Sequence, residues 1–269
     1  MLRVALVLAA GCFSKPPRPE PGDAGSDGDG AASARPRLVD KPAAARTQAS
    51  SVTYSISVPD EADPYLLVTL QLGTHCDDTA PPVNLAEVQD QDGASQPLVS
   101  IAAIDGTPCL GNSHSELFEL RAPAPGTYAV VLAVAGIAPS LHSAALVFAA
   151  VDRANPIRET ATAAGEGARA TVSIASEESE LIVNAVAHGT ALDKPGPNDT
   201  EIFRRNIDSS TTLNNSGASL TAGTGAQLEA LFGYDAEGWQ GTIAGTLGAF
   251  APQSLSAGLI IGAVLVVGG

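Results

Sequence analysis

This sequence predicts an all-β fold, an antiparallel β-sandwich of jelly-roll or Greek-key type behind a disordered N-terminal tether. Three observations carry that expectation. Short segments alternate apolar and polar residues, as in Ser51-Val-Thr-Tyr-Ser-Ile-Ser-Val58, and period-two alternation marks half-buried strands. Gly, Pro, Asn and Asp punctuate them at short intervals, and no stretch repeats its apolar residues with a helical period. Residues 13–50, by contrast, carry almost no apolar bulk. The organisation expected is a leader at 1–11, a tether at 12–50, and a folded body at 51–269, with a sub-boundary near 152–168 as the alternative to one continuous body.

The chain starts Met1-Leu-Arg-Val-Ala-Leu-Val-Leu-Ala-Ala-Gly-Cys12. Arg3 supplies a positive n-region, Val4 to Ala10 an apolar core, and Ala9-Ala10-Gly11 a small-residue run ending at cysteine. This resembles the signal peptide and lipobox of bacterial lipoproteins. The resemblance implies that Cys12 is acylated and becomes the new N-terminus, so that the protein meets the membrane through lipid. Ala9 stands where the family usually has Leu, and Ala9-x-Gly11 also satisfies ordinary signal-peptidase cleavage, which would leave a secreted protein. The apolar run is far short of the roughly 20 residues that span a bilayer. Phe13 follows the cysteine where Asp would retain the protein at the inner membrane, so the family's sorting rule implies the outer membrane.

Lys15-Pro-Pro-Arg-Pro-Glu-Pro-Gly22, Asp23-Ala-Gly-Ser-Asp-Gly-Asp-Gly30 and an Ala-rich run to Ala49 follow. Nothing in them offsets ordering entropy, so a disordered spacer is expected, with an r.m.s. reach of roughly 35 Å. The Asp/Gly run lacks the closing Glu of a calcium loop. With Cys12 acylated, the remaining two of three cysteines, Cys76 and Cys109, form an even pair in a compartment that permits disulfides. Their bridge would close a loop of about 34 residues, worth roughly 3 to 4 kcal/mol in the chain-entropy picture. Two free thiols, or a metal pair with His75 and His114, are the other readings. The spacing fits no structural zinc site.

The body then reads as strands at Ser51–Val58, Tyr65–Leu72, Leu85–Val88, Leu98–Ile104, Ser115–Arg121, Thr127–Val134 and Leu141–Val151. The series continues at Arg169–Ile174, Glu180–Ala187, Thr200–Arg205, Thr211–Ala218, Ala226–Tyr234, Gly241–Ala249 and Ala257–Val267. In Ser115-Glu-Leu-Phe-Glu-Leu-Arg121, alternation puts Leu117 with Glu119 and Phe118 with Leu120 and Glu116. The near-continuous apolar runs 127–134 and 141–151 fit central strands covered on both sides. The C-terminal run from Leu255 is apolar, short, and without flanking positive charge, which reads as a last buried strand more readily than an anchor.

Pro125-Gly-Thr-Tyr-Ala-Val-Val-Leu132, Ala145-Leu-Val-Phe-Ala-Ala-Val-Asp-Arg-Ala-Asn-Pro-Ile157, Thr171-Val-Ser-Ile-Ala-Ser176 and Leu181-Ile-Val183 occur in that order. Together they resemble secreted bacterial β-sandwich modules, over roughly Tyr65 to the C-terminus. The resemblance implies one sandwich of about thirteen strands, with Asp152–Pro156 as an inter-strand turn. It implies no activity, because the shared residues are strand and turn residues. Ala150 departs from the pattern at a position where Gly is usual.

No catalytic or cofactor motif stands out in the sequence. There is no Gly-x-Ser-x-Gly elbow, phosphate loop or dinucleotide fingerprint, and no cofactor is expected. Gly111-Asn-Ser-His-Ser115 is the nearest Ser/His grouping and reads as a turn. His75, His114, His142 and His188 are scattered. Asp90-Gln-Asp-Gly93, Asp193 to Asp199 and Asp235-Ala-Glu-Gly238 are candidate calcium loops, each more simply a turn. One tryptophan, Trp239, does not make a stacking platform. Acids outnumber bases 29 to 14, for a net charge of −15, which repels nucleic acid. The function expected is that of a non-enzymatic envelope lipoprotein presenting a β-sandwich to an unidentified protein or glycan, in adhesion, ligand capture or envelope structure. A hydrolytic, carbohydrate-active sandwich and a calcium-dependent binding module are the alternatives.

Overall fold

The computed structural model describes residues 35–73, 79–105, 113–162, 169–178, 180–188, 192–195, 200–205, 215–223, 227–234, 242–249 and 260–267. Among them the fold is all-β, without helix, and the ladders are antiparallel. Cys12, Cys76 and Cys109, and with them the lipidation and the disulfide, lie outside the described residues.

Eight strands make the first sheet: β1 (Arg37–Asp40), β2 (Ala43–Val58), β3 (Tyr65–Gly73), β4 (Val83–Gln89), β5 (Ser95–Pro97), β6 (Val99–Asp105), β7 (Ser113–Arg121) and β8 (Gly126–Ala149). Their order is β5-β4-β8-β3-β7-β6, with β1 and β2 on the other side of β8. β8 is the spine. Its first half pairs with β2 (Val58↔Gly126 to Ser51↔Ala133) and with β4 (Gln89↔Ala129 to Val83↔Val134). Its second half keeps β2 (Thr47↔Ser140 to Ala43↔Ala144) and exchanges β4 for β3 (Gly73↔Ser140 to Tyr65↔Phe148).

Two sequence expectations are corrected here. Thr127–Val134 and Leu141–Val151 are not separate strands but parts of one. Ala135-Gly-Ile-Ala-Pro139 has the composition of a turn, yet forms a wide bulge in which Val134, Ala135, Gly136 and Ile137 lie opposite Ser50 alone. Gly136 has φ +127°, and Gln48 on β2 has φ +50°. Bulges bend a strand and shift its facing residues. Val130 and Leu132 before the bulge and Leu141 and Val147 after it therefore share one core. The tether, expected to run to residue 50, ends earlier, because β1 and the first half of β2 join the sheet from Arg37. Ladder bonds to β8 supply what apolar bulk does not, and Leu38 and Val39 pack against opposite cores.

The bend rolls the sheet around its first core, in which Leu66, Val68, Leu70, Leu132, Leu141 and Val147 are at most 0% exposed. Each such side chain contributes roughly 1.5–3 kcal/mol. The outer face of the same sheet carries Tyr65, Leu67, Leu117, Leu146 and Phe148. Against it lie Val183, Ala185, Phe203 and Ala218 from a five-stranded sheet of β10 (Leu181–His188), β12 (Thr200–Arg205), β13 (Asn215–Ala222), β15 (Thr242–Ala249) and β16 (Ile260–Val267). A third sheet joins β9 (Arg169–Ala175), β11 (Leu192–Pro195) and β14 (Gln227–Tyr234). The second core thus contains Val151 from before residues 152–168 and Val183 from after them. β16, in the apolar C-terminal run, pairs along its whole length with β15.

Candidate functional site

β7 carries the side chains of the site. Its alternation sends Leu117 and Glu119 to the second core and Phe118 to the first. Along the inner face the register sets Val68 opposite Phe118, Leu70 opposite Glu116 and Leu72 opposite His114. The apolar row therefore turns polar toward the start of β7. Glu116 and His114 stand there in the lining of a groove of about 480 Å³.

The groove follows the seam where the rolled sheet does not close. On one side lie Pro81, Pro82 and Leu85 of β4 and its approach, and on the other Ser100, Ala103 and Asp105 of β6. One backbone bond joins the sides, from Leu98 N to Ala86 O at 2.9 Å. The β4–β5 ladder spans only Glu87–Gln89. Pro82 is pinned by its carbonyl, which accepts from Ala135 N at the β8 bulge. Leu98 and Phe118 form the apolar wall.

The floor is a relay. His114 Nδ1 donates to Asp105 Oδ1 (2.8 Å), and Nε2 donates to Glu116 Oε2 (3.1 Å). Ser100 Oγ donates to Glu116 Oε1 (2.5 Å). Burial opposes the imidazolium charge, but the hydrogen bonds and negative charges of Glu116 and Asp105 outweigh it, holding His114 above the usual histidine pKa. The side chains of His114 and Glu116 are largely buried, while Asp105 is 76% exposed and presents its second oxygen to solvent. A nucleophilic triad needs serine against an imidazole nitrogen. Here a carboxylate separates the two, and both ring nitrogens are taken. The arrangement gathers charged and hydrogen-bonding groups along one strand pair.

The remaining predicted residues lie elsewhere. His142 is fully buried in β8, its Nδ1 hydrogen-bonded to Ser216 Oγ of the facing sheet, and it neighbours Gln71 in register. His188 ends β10. Asp90 folds its own turn: Oδ1 accepts from Asp92 N (3.0 Å) and Ala94 N (2.8 Å), with Gly93 at φ +81°. Asp193 is in β11. His75, Asp235 to Gly238 and Trp239 lie outside the described residues. Among the described residues no three His, Cys, Asp or Glu side chains gather as metal ligands would. Sequence reading found His114 but missed Ser100, Asp105 and Glu116. The signal available was the polar pair His114 and Glu116 on the same face of a strand as Phe118.

Known proteins add little. No protein family matches the chain, and no curated protein does. Among solved structures, the CupB6 tip adhesin of Pseudomonas aeruginosa is 11% identical over 88% of this chain and 92% of that one, with a TM-score of 0.12. A likeness at that level carries no argument.

Proposed function

We propose that this chain is a non-enzymatic binding protein of the bacterial cell envelope. In this reading Cys12 is acylated and anchored, most naturally in the outer membrane, and the residues after it act as a spacer. The body is a β-sandwich, with the rolled sheet and the five-stranded sheet as its layers, and it offers the seam groove to a protein or glycan. The observation that carries the reading is the floor of that groove. Its Ser, His, Asp and Glu side chains satisfy one another in a network, which suits recognition. The leader sequence ending in Ala-Gly-Cys12 supports the location.

Mass spectrometry of the mature N-terminus tests the proposal. The membrane fraction is expected to yield a chain starting at acylated Cys12, and Cys12→Ser to move the protein to the soluble fraction, since two or more acyl chains are needed for stable anchoring. An unmodified N-terminus in the soluble fraction of the wild type would overturn it.

A further inference from the structure

The walls of the groove are strand edges. Among the described residues, Val99–Asp105 of β6 has ladder partners only on its β7 side. Val83–Ala86 of β4 has them only on its β8 side, apart from the bond between Leu98 and Ala86. Each edge presents amide and carbonyl groups that nothing described pairs, and such an edge templates an added strand. Three large apolar side chains are exposed among the described residues: Leu85 (39%), Val99 (57%) and Ile137 (71%). Two of these lie on the seam strands. The third is in the β8 bulge that pins Pro82.

We propose that the seam receives one extended peptide segment of a partner protein, laid as an added strand along β6, with a lysine or arginine seated at Asp105. The inference rests on the reading of the groove as a binding site and names its ligand. Side chains of an added strand alternate, so every second one enters the groove. There they meet Leu98 and Phe118 at one end and the carboxylates at the other. The volume of about 480 Å³ lies within the ~300–1,000 Å³ of ordinary ligand sites. Charge chooses the occupant. A second copy of this chain brings a net −15 against an acidic floor and is repelled, whereas a basic segment is drawn in.

The full chain is titrated with fluorescein-labelled heptapeptides in which Thr and Val alternate around a central Lys, read by anisotropy. The Lys peptide should bind, and its Glu counterpart roughly ten-fold more weakly. A Lys peptide N-methylated on alternate amides loses its edge-pairing donors and should also fall about ten-fold. Asp105→Asn, at a side chain 76% exposed, should weaken the Lys peptide several-fold with the melting curve unchanged. Equal binding of the methylated peptide would show that the groove takes side chains and not a strand. That outcome ends this inference and leaves the binding reading intact. Equal binding of the Lys and Glu peptides, or no binding by any of them up to about 1 mM, ends it as well. The envelope reading is decided separately, by the mass of the Cys12 terminus.

Discussion

His142 should make the fold sensitive to acid, in a direction and size that the structure fixes. Its side chain is 0% exposed between the rolled sheet and the five-stranded sheet. Burial is the main cause of its pKa falling to about 4, and the positive charge of Arg205 adds to it. Apart from Arg205, the neighbours are neutral: Ser216 on Nδ1, Gln71 opposite in register, and the Leu117 and Ser115 rows of β7 beyond. In the unfolded chain the imidazole titrates near 6.5. Between those values the unfolded state binds the extra proton, so acidification favours unfolding. The stability His142 confers as a neutral group is complete above about pH 6.5 and is lost as pH falls toward 4. Linkage between the two pKa values gives a loss of about 2 kcal/mol from pH 7 to pH 5, and about 3 kcal/mol by pH 4.

The assay is urea unfolding at pH 7, 6 and 5 of the wild type and of His142→Leu, which fills the site without a proton. Other groups titrate in both proteins and cancel in the difference. His142→Leu should gain about 2 kcal/mol on the wild type between pH 7 and pH 5. A difference that stays flat over that interval would show that His142 is not buried as a neutral ring, and the inter-sheet contact through Ser216 would be wrong. His114 supplies the opposite control. Its pKa is raised, so its contribution is complete below about 6.5 and is lost as pH rises through the folded value. The stability gap between wild type and His114→Gln should therefore narrow toward alkaline pH.

Three further substitutions probe separate parts of the fold, each read as a shift in urea midpoint. Ala150 has φ +59°, in the left-handed region that costs a non-glycine residue roughly 1–2 kcal/mol; Ala150→Gly should stabilise by up to about 1 kcal/mol after the added freedom of the unfolded chain, and a loss of stability would place the residue elsewhere. Gly223→Ala should destabilise by more than about 2 kcal/mol, because a Cβ there would lie 1.9 Å from Glu177 O; a neutral result would mean that the Glu177–Glu180 turn does not press on β13. Arg158 grips Glu180 with Nε at 2.6 Å and Nη2 at 2.8 Å, and the Glu180 side chain is 0% exposed; Arg158→Met should cost about 3 kcal/mol by leaving that carboxylate without its counter-charge, held only by Glu177 N.

The strand pattern was legible because its signal is local. Thr200–Arg205 appears with the bounds read from sequence, and the two faces of β7 divide as alternation requires. Ala150 shows a local demand of another kind: its backbone adopts a conformation that favours glycine. What failed was any feature decided by partners distant in the chain. Ala135 to Pro139 has the composition of a turn, and only the long run of β2 beside it keeps β8 continuous. Ala43 to Ser50 lacks apolar bulk, and pairing with β8, about a hundred residues on, makes it a strand. The relay of the groove was illegible for the same reason. Ser100 and Asp105 reach Glu116 and His114 only through the β6–β7 register.

That register also explains why the seam is polar where it opens. A sheet that rolls without closing leaves two edges, and an edge left apolar invites any strand, including one from another copy. Here the closed end of the seam, where Leu98 bonds Ala86, is apolar. The open end carries Asp105 and Glu116, with prolines 81 and 82 on the opposing approach. Prolines withhold backbone donors and carboxylates repel an acidic chain, so indiscriminate pairing is discouraged on both walls. Neither device excludes an extended segment that brings its own positive charge. The residues that protect the edge from like chains are therefore the same ones that would select a basic strand.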